Sequence, residues 1–277
     1  VWLKGKGDDF YRAGDYAAAC NAYTAAIESD PKALTCFSNR AACYLHLANI
    51  EACIEDCSTS LKLLAAKPPP GPKDPDAIPI KPGGPTRRVR SQLRLLARRG
   101  TALAHNGQYA DALADFQTAG TIDRSDPAYA SMASRCSRLV EVAAIKADAD
   151  TAVREKRLED ALAQYDRVLA AEPRFVAAVS NKAAALLAAG RHGEVSEWCT
   201  RALELLGVEE GEGGSKRFNS FVLRTHVRRG TALCQDDRYA EAFGDFEAAV
   251  RLDPDNEALK LDLKRVKARA TTAPSDL

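Results

Sequence analysis

Residues 98–103 read RRGTAL, and the same six letters return at residues 228–233. Further pairs keep the same 130-residue offset, namely Tyr109 and Tyr239, Ala112 and Ala242, Asp115 and Asp245, Phe116 and Phe246, and Ala119 and Ala249. Residues 38–42 (SNRAA) return 142 residues later as SNKAA at 180–184. Self-similarity at a fixed offset is the signature of a repeat architecture. The sequence therefore predicts two halves built to one design.

A finer period runs within each half, with small residues, aromatic residues and prolines at the spacing of a 34-residue unit. The markers are Gly7, Tyr16, Ala19, Tyr23, Ala26 and Pro31, then Gly100, Gly107, Tyr109, Ala112, Phe116 and Ala119, then Gly230, Tyr239, Ala242, Phe246, Ala249 and Pro254. Small residues let two antiparallel helices approach, an aromatic ring fills the gap, and proline ends the second helix. The predicted units are 1–33, 34–66, 87–126, 142–174, 175–207 and 219–254.

This pattern predicts an all-α fold, a right-handed α-solenoid of six helix-turn-helix units closed by a capping helix at 255–270. Residues 67–86 hold eight of the 13 prolines and predict a mobile loop, and residues 207–217 (GVEEGEGGSKR) predict a shorter one. The predicted domains are 1–138 and 139–277, with three units each. Residues 128–155 lack proline and glycine. We therefore expect the first domain's capping helix to run into, or pack on, the next unit, which would give one continuous superhelix.

Composition excludes several classes of protein. The 277 residues are 46% hydrophobic and 28% charged, which is the balance of a folded globular chain. A net charge of +1 argues against a general nucleic-acid binder. The absence of an apolar run of 18 residues argues against a transmembrane helix. Because the chain begins with Val1 rather than Met, we expect a fragment of a longer protein.

No catalytic, cofactor or metal motif stands out. Eight cysteines without a CxxC pair are typical of reduced cytosolic thiols, and Cys53 and Cys57 occupy small packing positions where buried thiols are expected. P-loop, GxSxG and HExxH motifs are absent, so we predict a protein that is not an enzyme and has no cofactor. The arginines that follow the proline-rich segment predict a helix surface, and Trp2 and Trp198 are expected to pack.

The 34-residue motif is similar to the tetratricopeptide repeat (TPR) family over nearly the whole chain. More narrowly, WLKGKG (2–7), SNRAAC (38–43) and VRRGTALCQ (227–235) resemble the C-terminal TPR regions of axonemal dynein assembly factors. Such regions have three units, and this chain has six, as though the module were duplicated. The resemblance implies a cytoplasmic co-chaperone, with the cilium as a second location. Its implied partners are the C-terminal acidic tails of Hsp90 or Hsp70, and dynein chains or other assembly factors.

The resemblance also implies a carboxylate clamp in each domain, formed by Lys4, Asn39, Arg94 and Arg98 in the first and by Lys146, Asn181, Arg224 and Arg228 in the second. A spacing of four puts two side chains on one helix face, where charge-assisted hydrogen bonds can grip a carboxylate. Asp8 and Asp150 depart from the family, which has a donating Asn there. An ionised carboxylate donates no hydrogen bond. Losing one to a charged group costs about 1.5–3 kcal/mol.

Three alternatives stay open from the sequence. The clamp residues could be an ordinary solvated concave face, with Asp8 paired to Lys4 four residues earlier. The repeats could form an adaptor that binds a different peptide or a helix in a multi-protein complex. They could also be the accessory module of an enzyme whose catalytic domain lies outside this sequence.

Overall fold

The computed structural model describes residues 2–71, 73–79, 84–207 and 216–272. These residues form thirteen α-helices, one short 3₁₀ helix at Pro75–Ala77, no strand, and an isolated β-bridge between Pro79 and Thr86. The prediction of an all-α repeat fold is thereby confirmed. Among the helices described, none has the length and apolar character that crossing a membrane requires.

The chain divides into two compact units, Val1–Val140 and Glu141–Leu277. The helices in chain order are α1 Trp2–Arg12, α2 Tyr16–Ser29, α3 Leu34–His46, α4 Ile50–Ala66, α5 Arg87–His105, α6 Tyr109–Ile122, α7 Pro127–Arg154, α8 Leu158–Ala171, α9 Val176–Ala188, α10 His192–Leu206, α11 Lys216–Gln235, α12 Tyr239–Leu252 and α13 Glu257–Thr272. Helix α7 is continuous across the boundary, as the lack of proline and glycine predicted. The continuous superhelix stays a prediction.

Close approach within helix pairs depends on three glycines. A Cβ atom placed on Gly7 would lie 2.5 Å from the Tyr23 ring, and one placed on Gly230 would lie 2.9 Å from the Phe246 ring. Gly100 stands 3.0 Å from Phe116 by the same measure. Real Cβ atoms do not approach so closely, so the missing side chain is what lets the two helices touch. The predicted role of these small and aromatic residues is confirmed.

Buried ion pairs join the two helices of three repeats, and the same arginines also reach the repeat before. Three arginines on first helices make bidentate contacts of 2.6–2.9 Å with a buried aspartate 16 residues later, as Arg40–Asp56, Arg99–Asp115 and Arg229–Asp245. Each also donates to a hydroxyl group on the preceding second helix, namely Thr24, Ser58 and Thr200. Each guanidinium therefore links its own helix to two others.

The fifth unit uses different chemistry at the same place. There Lys182 replaces the arginine, and Trp198 stands where the second, third and sixth units have aspartate. The Lys182 ammonium donates to Asp166 on the preceding second helix at 2.5 Å and lies 3.9 Å from the centre of the Trp198 ring. The carboxylate has thus moved to the neighbouring helix, and a cation–π contact fills the vacated position. Trp198 packs, as expected.

Each turn between the two helices of a unit contains one residue in the left-handed conformation. The six residues, with φ between 54° and 81°, are Gly14, Ala48, Gly107, Lys156, Gly190 and Asp237. Glycine adopts this conformation freely, whereas a side chain makes it costly. The turns at Ala48, Lys156 and Asp237 therefore carry backbone strain that the other three do not.

The described part of the proline-rich loop is tied to the fold. The Arg88 guanidinium donates to the carbonyl oxygens of Leu64, Lys67 and Pro68 at 2.6–2.9 Å, which satisfies the C-terminal end of α4. Its mobility was predicted, but residues 72 and 80–83 lie outside the described residues, as do residues 208–215 of the second predicted loop. The predicted capping helix is present as α13, where Leu263 and Val266 pack on the core formed with α12.

Two smaller expectations have opposite outcomes. The expectation that Trp2 packs is wrong, because its surface is 71% exposed. The next residue, Leu3, packs on the core of α2 and α3 instead, since successive helix residues point about 100° apart. Cys53 and Cys57 are fully buried free thiols, as predicted. Burial raises the pKa of the Cys43 thiol to about 12, which keeps it protonated.

We expect Gly7→Ala to lower the free energy of unfolding by about 1–3 kcal/mol, because its methyl group would overlap the Tyr23 ring. Gly5→Ala is the matched control on the same helix, since nothing lies within 4 Å of its added Cβ. That control is expected to raise stability by about 0.5–1 kcal/mol through helix propensity. Urea unfolding followed by circular dichroism measures both, and equal effects of the two substitutions would contradict the close-packing argument.

The strained turns predict a second pair of variants. Ala48→Gly should raise the free energy of unfolding by up to about 1 kcal/mol, because the left-handed conformation costs a side-chain-bearing residue about 1–2 kcal/mol. Gly14→Ala, at the equivalent turn of the first unit, should lower it by about 1 kcal/mol or more. Thermal and urea denaturation would measure the changes. A loss of stability in Ala48→Gly would refute this account of the turns.

Candidate functional site

Two of the four side chains predicted for the first clamp, those of Lys4 and Asn39, converge on Asp8. The Lys4 ammonium donates to Asp8 Oδ2 at 2.6 Å, as the spacing of four predicted. Asn39 Nδ2 reaches across from α3 and donates to Asp8 Oδ1 at 3.0 Å. The Tyr23 hydroxyl comes from α2 and donates to the same oxygen at 2.7 Å. Three helices therefore point their donors at one internal carboxylate.

The second compact unit, Glu141–Leu277, repeats this arrangement around Asp150. Lys146 donates to Asp150 Oδ2 at 2.6 Å, Asn181 to Oδ1 at 2.8 Å, and the Tyr165 hydroxyl to Oδ1 at 2.5 Å. Each residue lies 142 positions after its counterpart in the first unit. Two separate copies of one hydrogen-bond pattern show that the aspartate is part of the design and not an isolated substitution.

The hydrogen bonds keep both carboxylates ionised. Burial alone would raise the pKa of Asp8, but the bonds from Lys4, Tyr23 and Asn39 outweigh it and hold the pKa below its ordinary value of 3.8. The same balance lowers the pKa of Asp150. The phenol groups shift the other way, since burial and the bond to an ionised carboxylate raise the pKa of Tyr23. At neutral pH these tyrosines are therefore neutral donors.

Tyr23 and Tyr165 are site residues that the sequence argument missed. Each was assigned only a packing role, between the two helices of its unit. Each is nearly fully buried at 1% exposure, yet its hydroxyl group reaches the carboxylate 15 residues earlier. The sequence did contain a signal for this contact, because Asp8 and Tyr23 recur together at Asp150 and Tyr165. The third and sixth helix-turn-helix repeats have phenylalanine at the tyrosine position.

Arg98 and Arg228 stand next to these clusters and are anchored by serine. Arg98 Nη1 donates to the Ser38 carbonyl oxygen at 2.5 Å and to its hydroxyl oxygen at 3.3 Å. Arg228 Nη1 makes the same two contacts to Ser180, at 2.9 and 3.0 Å. Each serine directly precedes the asparagine that binds the aspartate. One helix, α3 or α9, therefore holds the aspartate cluster and the arginine side by side.

Arg94 and Arg224 lie one turn earlier on the same helix faces and are exposed to solvent. Among the described residues neither makes a hydrogen bond or an ion pair. Burial, followed by repulsion from Arg90 and Arg98, lowers the pKa of the Arg94 guanidinium. Burial, followed by repulsion from Arg224, lowers the pKa of Arg228. Each unit thus presents a positively charged pair without a carboxylate partner.

A pocket of about 380 Å³ opens beside the arginine pair of the second unit. It is lined by Leu187, Leu223, Arg224, Val227, Arg228, Thr231, Asn256 and Leu259. Leu259 on α13 corresponds to Tyr129 in the first unit, and that tyrosine packs against the core of Leu93 and Leu96. The two units therefore share their charged groups and differ in the apolar surface next to them.

The remaining titratable groups do not form a metal centre in the described part of the chain. No group of three or more His, Cys, Asp or Glu side chains there has the geometry to hold a metal ion. His226 contacts Asp245 at 2.8 Å, and Asp245 already pairs with Arg229, so this histidine belongs to a buried structural bridge.

A family profile described as tetratricopeptide repeat matches residues 5–55 and 147–207. The matched residues lie in both compact units. Among solved structures, the P58(IPK) TPR domain superposes with a TM-score of 0.57 at 15% identity, covering 99% of this chain and 66% of that chain. This likeness supports the fold alone.

Two curated relatives add names to the family. The chain is 34% identical over 125 residues to dynein axonemal assembly factor 4 of Pongo pygmaeus, which covers 45% of this chain and 26% of that protein. It is 22% identical over 288 residues to the Hsp70-Hsp90 organizing protein of Triticum aestivum, covering 95% of this chain and 42% of that protein. The chain therefore spans less than half the length of these relatives.

The aspartate clusters predict how stability responds to acid. Both aspartates have a folded-state pKa below the ordinary value, so their ionised forms stabilise the fold above about pH 4, and this contribution is lost as the pH falls through the folded-state pKa. The unfolding free energy of the wild type minus that of the double variant Asp8→Asn, Asp150→Asn should fall from about pH 5 to pH 2. Urea titrations across this range measure the difference. A difference that does not change with pH would contradict the hydrogen-bond balance.

Proposed function

We propose that this protein is a non-catalytic scaffold that binds the acidic tails of Hsp90 or Hsp70 during cytoplasmic preassembly of axonemal dynein arms. The observation that carries the proposal is the pair of arginines in each unit, Arg94 with Arg98 and Arg224 with Arg228, held beside a filled aspartate cluster without a carboxylate partner of their own. Guanidinium groups bind carboxylates through paired, charge-assisted hydrogen bonds. Acidic segments of a partner are the natural ligands of such pairs.

The assignment of partners is supported by the relatives. One is named as a dynein axonemal assembly factor and another as an Hsp70-Hsp90 organizing protein. The second relative matches 95% of this chain, which includes both units. Two anion-binding units in one chain would let a single molecule engage two acidic segments, so that the second binding event gains from a raised local concentration.

A second candidate is an adaptor for a segment that carries apolar as well as acidic side chains. The pocket beside Arg224 and Arg228 favours it, since Leu187, Leu223, Val227 and Leu259 offer an apolar wall next to the charges. Such a ligand would bind the second unit more tightly than the first, where Tyr129 packs into the core at the equivalent position. Replacing Leu259 with tyrosine would remove this preference.

The proposal predicts that exposed arginines set the affinity for acidic peptides. The double variant Arg94→Glu, Arg224→Glu should bind the Hsp90 peptide SRMEEVD at least about tenfold more weakly than the wild type, because it loses hydrogen bonds to a charged group and adds repulsion. These positions are chosen because Arg98 and Arg228 anchor serine backbones, and changing them would alter the fold. Fluorescence anisotropy with a labelled peptide measures the dissociation constant.

The matched control is Arg124→Glu, Arg251→Glu, which reverses the same number of charges at exposed positions away from the site, one in each unit. It should change the affinity by less than about threefold at physiological salt, where distant surface charges are screened. Circular dichroism checks that helix content is equal in all proteins. Wild-type affinity in the first double variant, or equal losses in both, would refute the proposed site.

A further inference from the structure

We propose that Asp8 and Asp150 are specificity-determining residues, built-in carboxylates that fill the donor sites beside the arginine pairs. Both units would then recognise acidic side chains within a segment and would not require a free C-terminal carboxylate. This inference rests on the proposed function and deepens it by naming the feature of the ligand that the protein recognises.

The first step is the occupancy of the donors. Lys4, Tyr23 and Asn39 all direct a hydrogen bond of 2.6–3.0 Å at Asp8, and Asp8 uses both of its carboxylate oxygens to accept them. A ligand carboxylate entering this cluster would have to share donors with a carboxylate that is already ionised. Two carboxylates that share one site repel each other when both are ionised, and this repulsion strongly raises the pKa of one of them. The cluster therefore disfavours a second anion.

The second step is that the pattern occurs twice. Asp150 receives the same three kinds of donor, from Lys146, Tyr165 and Asn181, at 2.5–2.8 Å. The tyrosine is a matched part of the pattern, because its hydroxyl adds a donor that a packing residue does not need. In both units the lysine and the asparagine are thus paired with an internal carboxylate.

The third step concerns the free donors. Arg98 uses only Nη1 to hold Ser38, and its Nη2 and Nε make no hydrogen bond to another described residue. Arg94, one turn away, makes none at all within the described chain. Burial, followed by repulsion from Arg90 and Arg98, lowers the pKa of Arg94, and an incoming carboxylate would relieve the repulsion. The surface that attracts an anion is therefore the arginine row and not the aspartate cluster.

The fourth step is the match in spacing. Side chains four residues apart on a helix are separated by a rise of about 6 Å. Alternate side chains on an extended chain are about 6.6–6.8 Å apart and point to the same side. An extended segment with acidic residues at alternate positions can therefore place one carboxylate on each arginine of the row. A chain terminus is not needed for that contact.

The test compares the peptide SRMEEVD with a free C-terminus and the same peptide as its C-terminal amide. Binding to the full chain is measured by isothermal titration calorimetry. For the wild type, amidation should change the dissociation constant by less than about threefold, because the donors suited to a terminal carboxylate are filled. The double variant Asp8→Asn, Asp150→Asn should bind the free acid at least about tenfold more tightly than the wild type does, and should lose that gain with the amide.

Each outcome separates this inference from the proposed function. A wild-type protein that loses at least about tenfold in affinity on amidation overturns the inference alone, since the tail is then bound through its terminus. Failure of both peptides to bind any of the proteins overturns the proposed function, and the inference with it. The wild-type comparison needs no substitution, so it decides the question even if the aspartate variants fail to fold.

Discussion

The missing side chain at three glycines is the constraint on which the rest of the structure depends. Gly7, Gly100 and Gly230 let the paired helix bring its aromatic ring against the backbone, at distances that a methyl group would block. That contact fixes the height and rotation of the two helices relative to each other. At Gly7 the packed ring belongs to Tyr23, whose hydroxyl donates to Asp8 at 2.7 Å. The packing of α1 on α2 and the aspartate cluster therefore share one residue.

The packing within each helix pair was predictable because the same residue pattern recurs along the sequence. The fixed spacing of small residues, aromatic rings and prolines indicates which helices pair. The continuity of α7 followed from the absence of proline and glycine, the residues that end helices. Ion pairs such as Arg99 with Asp115 were harder to predict, since the two residues lie 16 positions apart on different helices of one repeat and no helix period relates them. The exposure of Trp2 was missed for a related reason, because a period identifies a face without saying what covers it. Repetition could still have shown such pairs, as Arg229 and Asp245 have the same separation.

The sequence predicted Lys4, Asn39 and the arginines as members of the candidate site. It did not predict Tyr23, nor the hydrogen bond from Asn39 to Asp8. The positions of Lys4, Asn39 and Arg98 followed from a family resemblance, and the structure brings Lys4 and Asn39 together. What the resemblance could not give is that a neighbouring carboxylate consumes those donors, since that depends on how far Asp8 and Tyr23 reach. An ionised group inside a cluster of donors has the same effect as a bound ligand carboxylate. The near-neutral net charge of the chain thus includes positive groups that are already neutralised and arginines that are not.

The two compact units share the charged residues of the candidate site and differ in the apolar residues beside them. The aspartate, lysine, tyrosine, asparagine and arginine pair are the same in both, so each unit offers the same electrostatic surface. The apolar surroundings differ, since Tyr129 and Ala97 in the first unit correspond to Leu259 and Val227 in the second, where a pocket opens. Charge that is common to both units cannot distinguish one acidic ligand from another. Under the proposed function, discrimination would therefore come from the apolar side chain that a ligand presents beside its carboxylates, and the pocket in the second unit is open to receive one.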